Sequence, residues 1–372
     1  MNLYLADILD QPRSLRLALK QLDLADLDPI RQAVASRRID RIVLTGMGAS
    51  FFALYPAWVE LAAAGLPAIW VDSAELVHHA PALINDRTLT CIASQSGRSA
   101  EVVSLLGLMQ ARRPGGLIAI TNDPSSPLGQ TGQRGDGGLL HALLELHAVP
   151  EQTPSTRTYL NMMAIGLLAA LALDPAGAGP DRLETAWSDL EQTAAGLEAY
   201  TADWENELRR IKDIFSAPAC AHPESAPFLV LLGRGPSLAS ACTGALCLQE
   251  VVKLPALGLQ AAQFRHGPLE IARPGLPVWI FAGQPGSHAA ELNRNLWNDL
   301  RRLEVNAQLL APLPAGSRGA VEDGLLPIPA SAGIGLPLAE ILPVQLLAYS
   351  LSLQAGITPG AFNHIGKVTL SE

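Results

Sequence analysis

The chain has 372 residues, 49% of them apolar, enough for two domains with sizeable cores. Its net charge of −9 argues against a nucleic-acid partner, which needs a basic face. The apolar run Met162 to Leu173 is too short to cross a bilayer, and Met1-Asn2-Leu3-Tyr4 lacks a basic region leading an apolar stretch, so neither a membrane span nor a secretion signal is expected. Cys91, Cys220, Cys242 and Cys247 show no paired metal spacing, so reduced thiols, a cytoplasmic location and no metal or other cofactor are the expectation.

Residues 1–40 read as helical, with Pro12 near a helix start and Leu15, Leu19 and Leu22 at helical spacing. Ile42-Val43-Leu44 reads as a strand, Thr45-Gly46-Met47-Gly48-Ala49-Ser50 as a glycine turn, and Phe51 to Ala64 as an apolar helix. A Gly-x-Gly turn alone is compatible with a dinucleotide site, but Phe51 stands where the third glycine of that fingerprint would fall. Ala68 to Asp72 is a strand, and Thr88 to Ala93 reads as a buried parallel strand followed by a helix through Met109. Leu117 to Thr121 is a strand with a loop at its end, and His141 to Val149 has mixed character. Glu151 to Thr158 is a polar loop opening the helix Tyr159 to Leu173.

Asp174 to Pro180 is a linker by composition, and a polar helical stretch runs from Asp181 to Phe215. The strand Phe228 to Leu232 and the turn Gly233-Arg234-Gly235-Pro236-Ser237 then repeat the pattern of Ile42 to Ser50, which points to two copies of one α/β unit. The second copy continues through a helix over 238–252, strands near 277–281 and 308–310, and a helix over 338–354. Alternating strands and helices predict doubly wound parallel sheets, with ligands beyond the carboxyl ends of the strands. The loops 45–50, 94–99 and 151–158 would lie on that edge.

Ser94-Gln95-Ser96-Gly97-Arg98-Ser99 forms a strand-to-helix turn. Three hydroxyls, one amide and the free N–H groups of a helix start converge there, which suits a phosphate monoester. A single serine would be a helix cap; the cluster favours the anion. The second copy has no equivalent, so the first is expected to hold phosphate and the second to supply chemistry. Lysine occurs only at Lys20, Lys212, Lys253 and Lys367, which leaves few candidates for any step needing an amine.

The turn Gly46-Met47-Gly48-Ala49-Ser50, the cradle Ser94-Gln95-Ser96-Gly97, the strand end Leu232-Gly233-Arg234-Gly235 and the run Phe264-Arg265-His266-Gly267-Pro268-Leu269 resemble the sugar isomerase (SIS) domain proteins. Their order, with Asp7 to Pro12 at the opening and Lys367-Val368-Thr369 in the tail, resembles the two-domain isomerase half of glucosamine-6-phosphate synthase. The glutaminase half has no counterpart in these residues. Similar stand-alone proteins are aminosugar-phosphate deaminases, fructosamine-phosphate deglycases and related isomerases. The resemblance implies an α/β fold of two tandem doubly wound SIS domains flanked by helices. The boundaries are a helical segment 1–40, a phosphate-binding domain 41–180, a linker helix 181–216, a second domain 217–356 and a closing tail 357–372.

It further implies that Ser50, Ser94, Gln95, Ser96 and Ser99 hold the phosphate. Glu250 would move a proton between C1 and C2 of the opened sugar. His266 would open the ring, reaching in from the neighbouring subunit of a homodimer, and Lys367 would meet the sugar carbonyl. Chemistry makes these residue types sensible: a carboxylate for proton transfer, an imidazole for hemiacetal opening, an amine for a carbonyl. Taken without the resemblance, Glu250 could be helix surface, His266 a loop residue and Lys367 part of a frayed tail.

Departures accompany the resemblance. The family usually carries two lysines before the catalytic glutamate, where this chain reads Ala245-Leu246-Cys247-Leu248-Gln249-Glu250. Gln263 stands where an acid is common, and Ala49 where a threonine often helps with phosphate. The expected function is a phosphosugar isomerase or aminosugar-phosphate deaminase, the alternative being a non-catalytic sugar-phosphate sensor. The tail is expected to act in the half of the chain away from the cradle.

Overall fold

The computed structural model describes residues 2–134, 140–175, 180–215, 228–312, 323–364 and 366–371. Cys220 and the centre of the 174–180 linker lie outside them. The chain forms two compact units: Arg13–Ser188 with Asn363–Glu372, and Met1–Pro12 with Asp189–Phe362.

The chain opens with α1 (Leu3–Leu9), capped by the Asn2 side chain, and α2 (Gln11–Gln21). In the unit that begins at Arg13, α3 (Asp28–Ala35) precedes β1 (Arg41–Gly46), α4 (Gly48–Ala53), α5 (Tyr55–Ala63) and β2 (Ala68–Trp70). Next come α6 (Ser73–His78), β3 (Thr88–Ala93), α7 (Ala100–Arg112), β4 (Gly116–Thr121), α8 (Pro127–Arg134), β5 (Leu140–Glu145) and α9 (Arg157–Leu173). All five strands run parallel in the order β2-β1-β3-β4-β5. β3 and β4 are buried at every residue, as central strands covered on both faces must be. Val43, Ile92, Leu117 and Ala119 pack against Val102, Leu105 and Met109 of α7.

Two expectations change here. The helix expected from Phe51 to Ala64 is two helices, because Pro56 cannot donate into a preceding turn and fits only near a helix start. The mixed stretch from His141 is the edge strand β5, whose partial, alternating burial blurs its signal.

The polar stretch from Asp181 forms α10 (Pro180–Ala202) and α11 (Trp204–Phe215). Then follow β6 (Leu229–Gly233), α12 (Leu238–Val252), β7 (Ala256–Gln260), α13 (Ala261–Phe264), β8 (Pro277–Phe281), α14 (His288–Arg302), β9 (Asn306–Pro312), β10 (Leu325–Ile328) and α15 (Leu336–Gln354). The second sheet is also parallel, in the order β10-β9-β8-β6-β7. Reading β6 through β10 for β1 through β5 reproduces the first sheet's order, so the repeat seen at the glycine turns extends to the whole topology. Trp279 in neighbouring β8 is 1% exposed, while Val278, Ile280, Leu296 and Trp297 belong to this sheet's core.

One expectation about membranes needs correction. The segment Gly333–Gln354 is long and apolar enough to cross a bilayer by composition, and is longer than the run Met162 to Leu173. Here 83% of its most apolar window is buried within the protein, and α15 packs on α12 and α11. It is the core helix of its unit.

Candidate functional site

In a sheet of order 2-1-3-4-5, the chain leaves β1 and β3 in opposite directions and opens a crevice at their carboxyl ends. The loops there are Met47 to Ser50 and Ser94 to Ser99. Ser50 lies half-buried in the first turn of α4. Ser94 is buried, with its N–H donating to the Ile120 carbonyl at 3.0 Å and its hydroxyl oxygen accepting from the Gly97 N–H at 3.1 Å. The Ser96 hydroxyl oxygen accepts from the Arg98 N–H at 3.2 Å. Both serines therefore spend a lone pair inside the loop and keep an O–H proton for a ligand. The Gln95 backbone carbonyl accepts from the Asn122 N–H at 3.1 Å and from the Thr121 hydroxyl at 3.3 Å.

Ser99 stands at the N-cap position of α7 but makes no capping bond with its side chain. The cap comes from the tail, where the Thr369 carbonyl accepts from the Ala100 N–H at 3.0 Å. Gly97 adopts φ +61° and sits against Ser126, where a Cβ would collide with that side chain. Arg98 pairs with Asp123 at 2.8 Å and clamps the loop from outside. The Ser125 hydroxyl first, and Arg98 next, hold the Asp123 carboxyl below its usual range.

Lys367 is brought to the same unit. Its Nζ donates to the Thr153 carbonyl at 2.6 Å and to the Ser155 hydroxyl at 3.4 Å, and lies 3.6 Å from Glu151 Oε2. The expectation that the tail acts away from the cradle is thus corrected for residues 363–372: one tail segment caps the cradle helix and meets the 151–158 loop. Glu151 escaped the sequence reading. Its only local signal is an acid ahead of Thr156-Arg157-Thr158, a helix start that lacks a side-chain cap of its own.

The other proposed catalytic residues belong to the second unit. Glu250 is half-buried in the last turn of α12, and His266 is exposed in the turn before Gly267, which adopts φ +123°. Lys253 terminates α12 in the left-handed region and donates to the backbone carbonyls of Glu250 and Ala361, the latter at 2.7 Å. Cys247, in a lysine position of the family pattern, is buried against Tyr4 with a Tyr4 Oη···Sγ distance of 2.9 Å, and burial pushes its thiol up to about 12. Gln249, at the other, donates to the Ala256 carbonyl at 2.9 Å.

A parallel sheet of this order with a hydroxyl-rich loop at its switch point defines a doubly wound α/β protein with a candidate anion site. Residues 37–172 match the family model of the SIS domain. Over 362 residues it is 28% identical to the glutamine–fructose-6-phosphate aminotransferase (isomerizing) of Gloeobacter violaceus, covering 95% of this chain and 56% of that protein. The chain thus spans little more than half the length of that curated relative. Among solved structures, it resembles the tagatose-6-phosphate ketose/aldose isomerase of Escherichia coli, with TM-score 0.73, 21% identity and coverage of 97% and 95%. It also resembles the glucosamine-6-phosphate deaminase of Thermotoga maritima, with TM-score 0.69, 17% identity and coverage of 98% of each chain. At these identities the structural likeness is one of fold.

Proposed function

We propose that the chain is an isomerase or deaminase acting on a phosphorylated aminosugar or a related sugar phosphate. In this reading the first sheet is the phosphate-binding SIS domain and the second sheet is a second SIS unit. One observation carries it: the cradle helix and the lysine-bearing tail are joined by the Ala100–Thr369 bond, so anion site and amine share one end of one sheet. Ser50, Ser94, Gln95, Ser96 and Ser99 hold the phosphate. His266 opens the ring, Glu250 takes a proton from one of the two adjacent carbons and returns it to the other, and Lys367 offers its cation to the carbonyl oxygen. The exposure of His266 on its own subunit supports its entering the site of a neighbour in a cytoplasmic homodimer. A panel of hexose and hexosamine 6-phosphates, assayed for ammonia release and ketose formation, tests the activity. Full turnover by a folded monomer at high dilution would contradict the shared site.

A second reading, a sensor that binds sugar phosphate without turnover, is favoured by Cys247 and Gln249, whose side chains are engaged internally at positions where the family pattern has lysines. Tight binding across the whole panel with no product would select it.

A further inference from the structure

We infer that Glu151 is the positioning residue for Lys367, docking the tail onto the start of α9 by its charge. Its consequence for turnover rests on the proposed function; the docking itself does not. The Glu151 side chain is 0% exposed. Its Oε1 accepts from the Thr156 N–H at 3.1 Å, the Thr156 hydroxyl at 2.8 Å and the Thr158 N–H at 3.3 Å. Oε2 accepts from the Thr158 hydroxyl at 2.6 Å. The carboxylate thereby replaces the missing side-chain cap of α9, and the donors satisfy a charge that burial alone would penalise. Arg157 Nε lies 3.9 Å from Oε1, and Lys367 Nζ lies 3.6 Å from Oε2.

Around Lys367 the loop thus presents a carbonyl, a hydroxyl and a carboxylate oxygen. Three acceptors match the three donors of an ammonium. A neutral amine, as nucleophile, would leave the buried carboxylate short of one cation. The arrangement favours Lys367 as a fixed positive charge set beside the cradle helix, with Glu151 deciding where it sits.

Replacing the carboxylate by an amide separates this role from helix capping. In Glu151→Gln the remaining oxygen can still accept from Thr156 and Thr158. The new NH2 takes the place of Oε2, and the Thr158 hydroxyl can turn to accept from it. Lys367 cannot, because it has only donors. The loss therefore falls on the tail.

Hydrogen exchange reads it directly, because the Ala100 amide is held by Thr369. Glu151→Gln should raise exchange of the Ala100 amide, which reports the tail, by about tenfold or more, as expected for losing a buried charge-assisted contact. Lys367→Met should do the same, the double variant should add nothing further, and Lys367→Arg should keep protection. Thr158→Val, which removes one bond to the carboxylate and leaves its charge, should loosen the start of α9 and spare the tail. Unchanged tail exchange in folded Glu151→Gln, or equal loosening by Thr158→Val, would overturn the inference. If Glu151→Gln does not fold, the lysine pair decides: full protection in Lys367→Met overturns it. Where the wild type turns over a panel sugar, Glu151→Gln should lower kcat with KM little changed. A wild type that turns over none defeats the proposed function and leaves the exchange result standing.

Discussion

The N–H of Ala100, the first residue of α7, donates to the carbonyl of Thr369 at 3.0 Å, so the C-terminal tail caps the helix whose start forms the proposed phosphate cradle. An N-cap bond of this kind contributes about 0.5–2 kcal/mol. Truncation after Gly366 should lower the stability of the unit by about that amount, and Lys367→Ala, which keeps Thr369 but loses its docking contact, should lower it by less. Both changes should reduce turnover by at least about a hundredfold, the scale of a positioned catalytic group. Phosphate affinity should survive Lys367→Ala because the cradle's donors are its own hydroxyls and amides. Denaturant unfolding together with steady-state kinetics checks this; equal stability of the two variants would remove the capping role.

The cradle itself is tested by Ser94→Ala with Ser96→Ala. Each hydroxyl accepts an internal N–H and keeps its proton for the anion. Their joint loss should weaken binding of glucose 6-phosphate by about 3–6 kcal/mol, since hydrogen bonds to charged groups are each worth about 1.5–3. Calorimetry giving wild-type affinity would exclude the cradle as the anion site. Gly97→Ala should be worse folded than either, because it places a Cβ into Ser126 at φ +61°.

Much of this was legible in the residues. The apolar runs of β1, β3, β4, β6 and β8 are buried on both faces, so their signal is continuous. The glycine turns at Gly46 and Gly233 expose the repeat. β7 and β10 were not legible: Ala256-Leu257-Gly258-Leu259-Gln260 and Leu325-Leu326-Pro327-Ile328 are short segments at the sheet edges, with a glycine and a proline that dilute strand character. The serine cluster is conspicuous in the sequence, but nothing near Ala100 says that its cap comes from Thr369. Nor does spacing reveal that Glu151 faces Lys367. Both are long-range pairings that the fold creates.

Lys253 illustrates the same point. Three residues beyond Glu250, it competes with Lys367 on sequence grounds. Its amine instead holds the Glu250 and Ala361 carbonyls and closes the C-terminus of α12. Lys253→Ala should therefore destabilise the second unit by about 1.5–3 kcal/mol, in line with a lost hydrogen bond to a charged group, and leave more turnover than Lys367→Ala. The reverse order in kinetics would assign the amine chemistry to Lys253.

Glu340 makes the strongest pH prediction. It is fully buried in α15, with Oε1 accepting from the Ser237 hydroxyl at 2.7 Å. Among the described residues its Oε2 has no hydrogen-bond partner. Burial pushes its carboxyl from 4.5 up to about 8, against the opposing bond from the Ser237 hydroxyl. The folded protein therefore holds this proton more tightly than the unfolded chain. Below about 4.5 both states are protonated and Glu340 imposes no penalty. Between about 4.5 and 8 the unfolded chain releases the proton first, so stability falls as pH rises, and above about 8 the penalty is constant. Its full size is on the order of a few kcal/mol. Glu340→Gln keeps an acceptor for Ser237 and carries no titrating proton. Thermal melts at pH 5 and pH 8 should show a smaller loss of stability with rising pH in the variant than in the wild type. Other titrating groups contribute equally to both proteins and cancel in the difference, so parallel pH profiles would mean that Glu340 is not the buried acid described here.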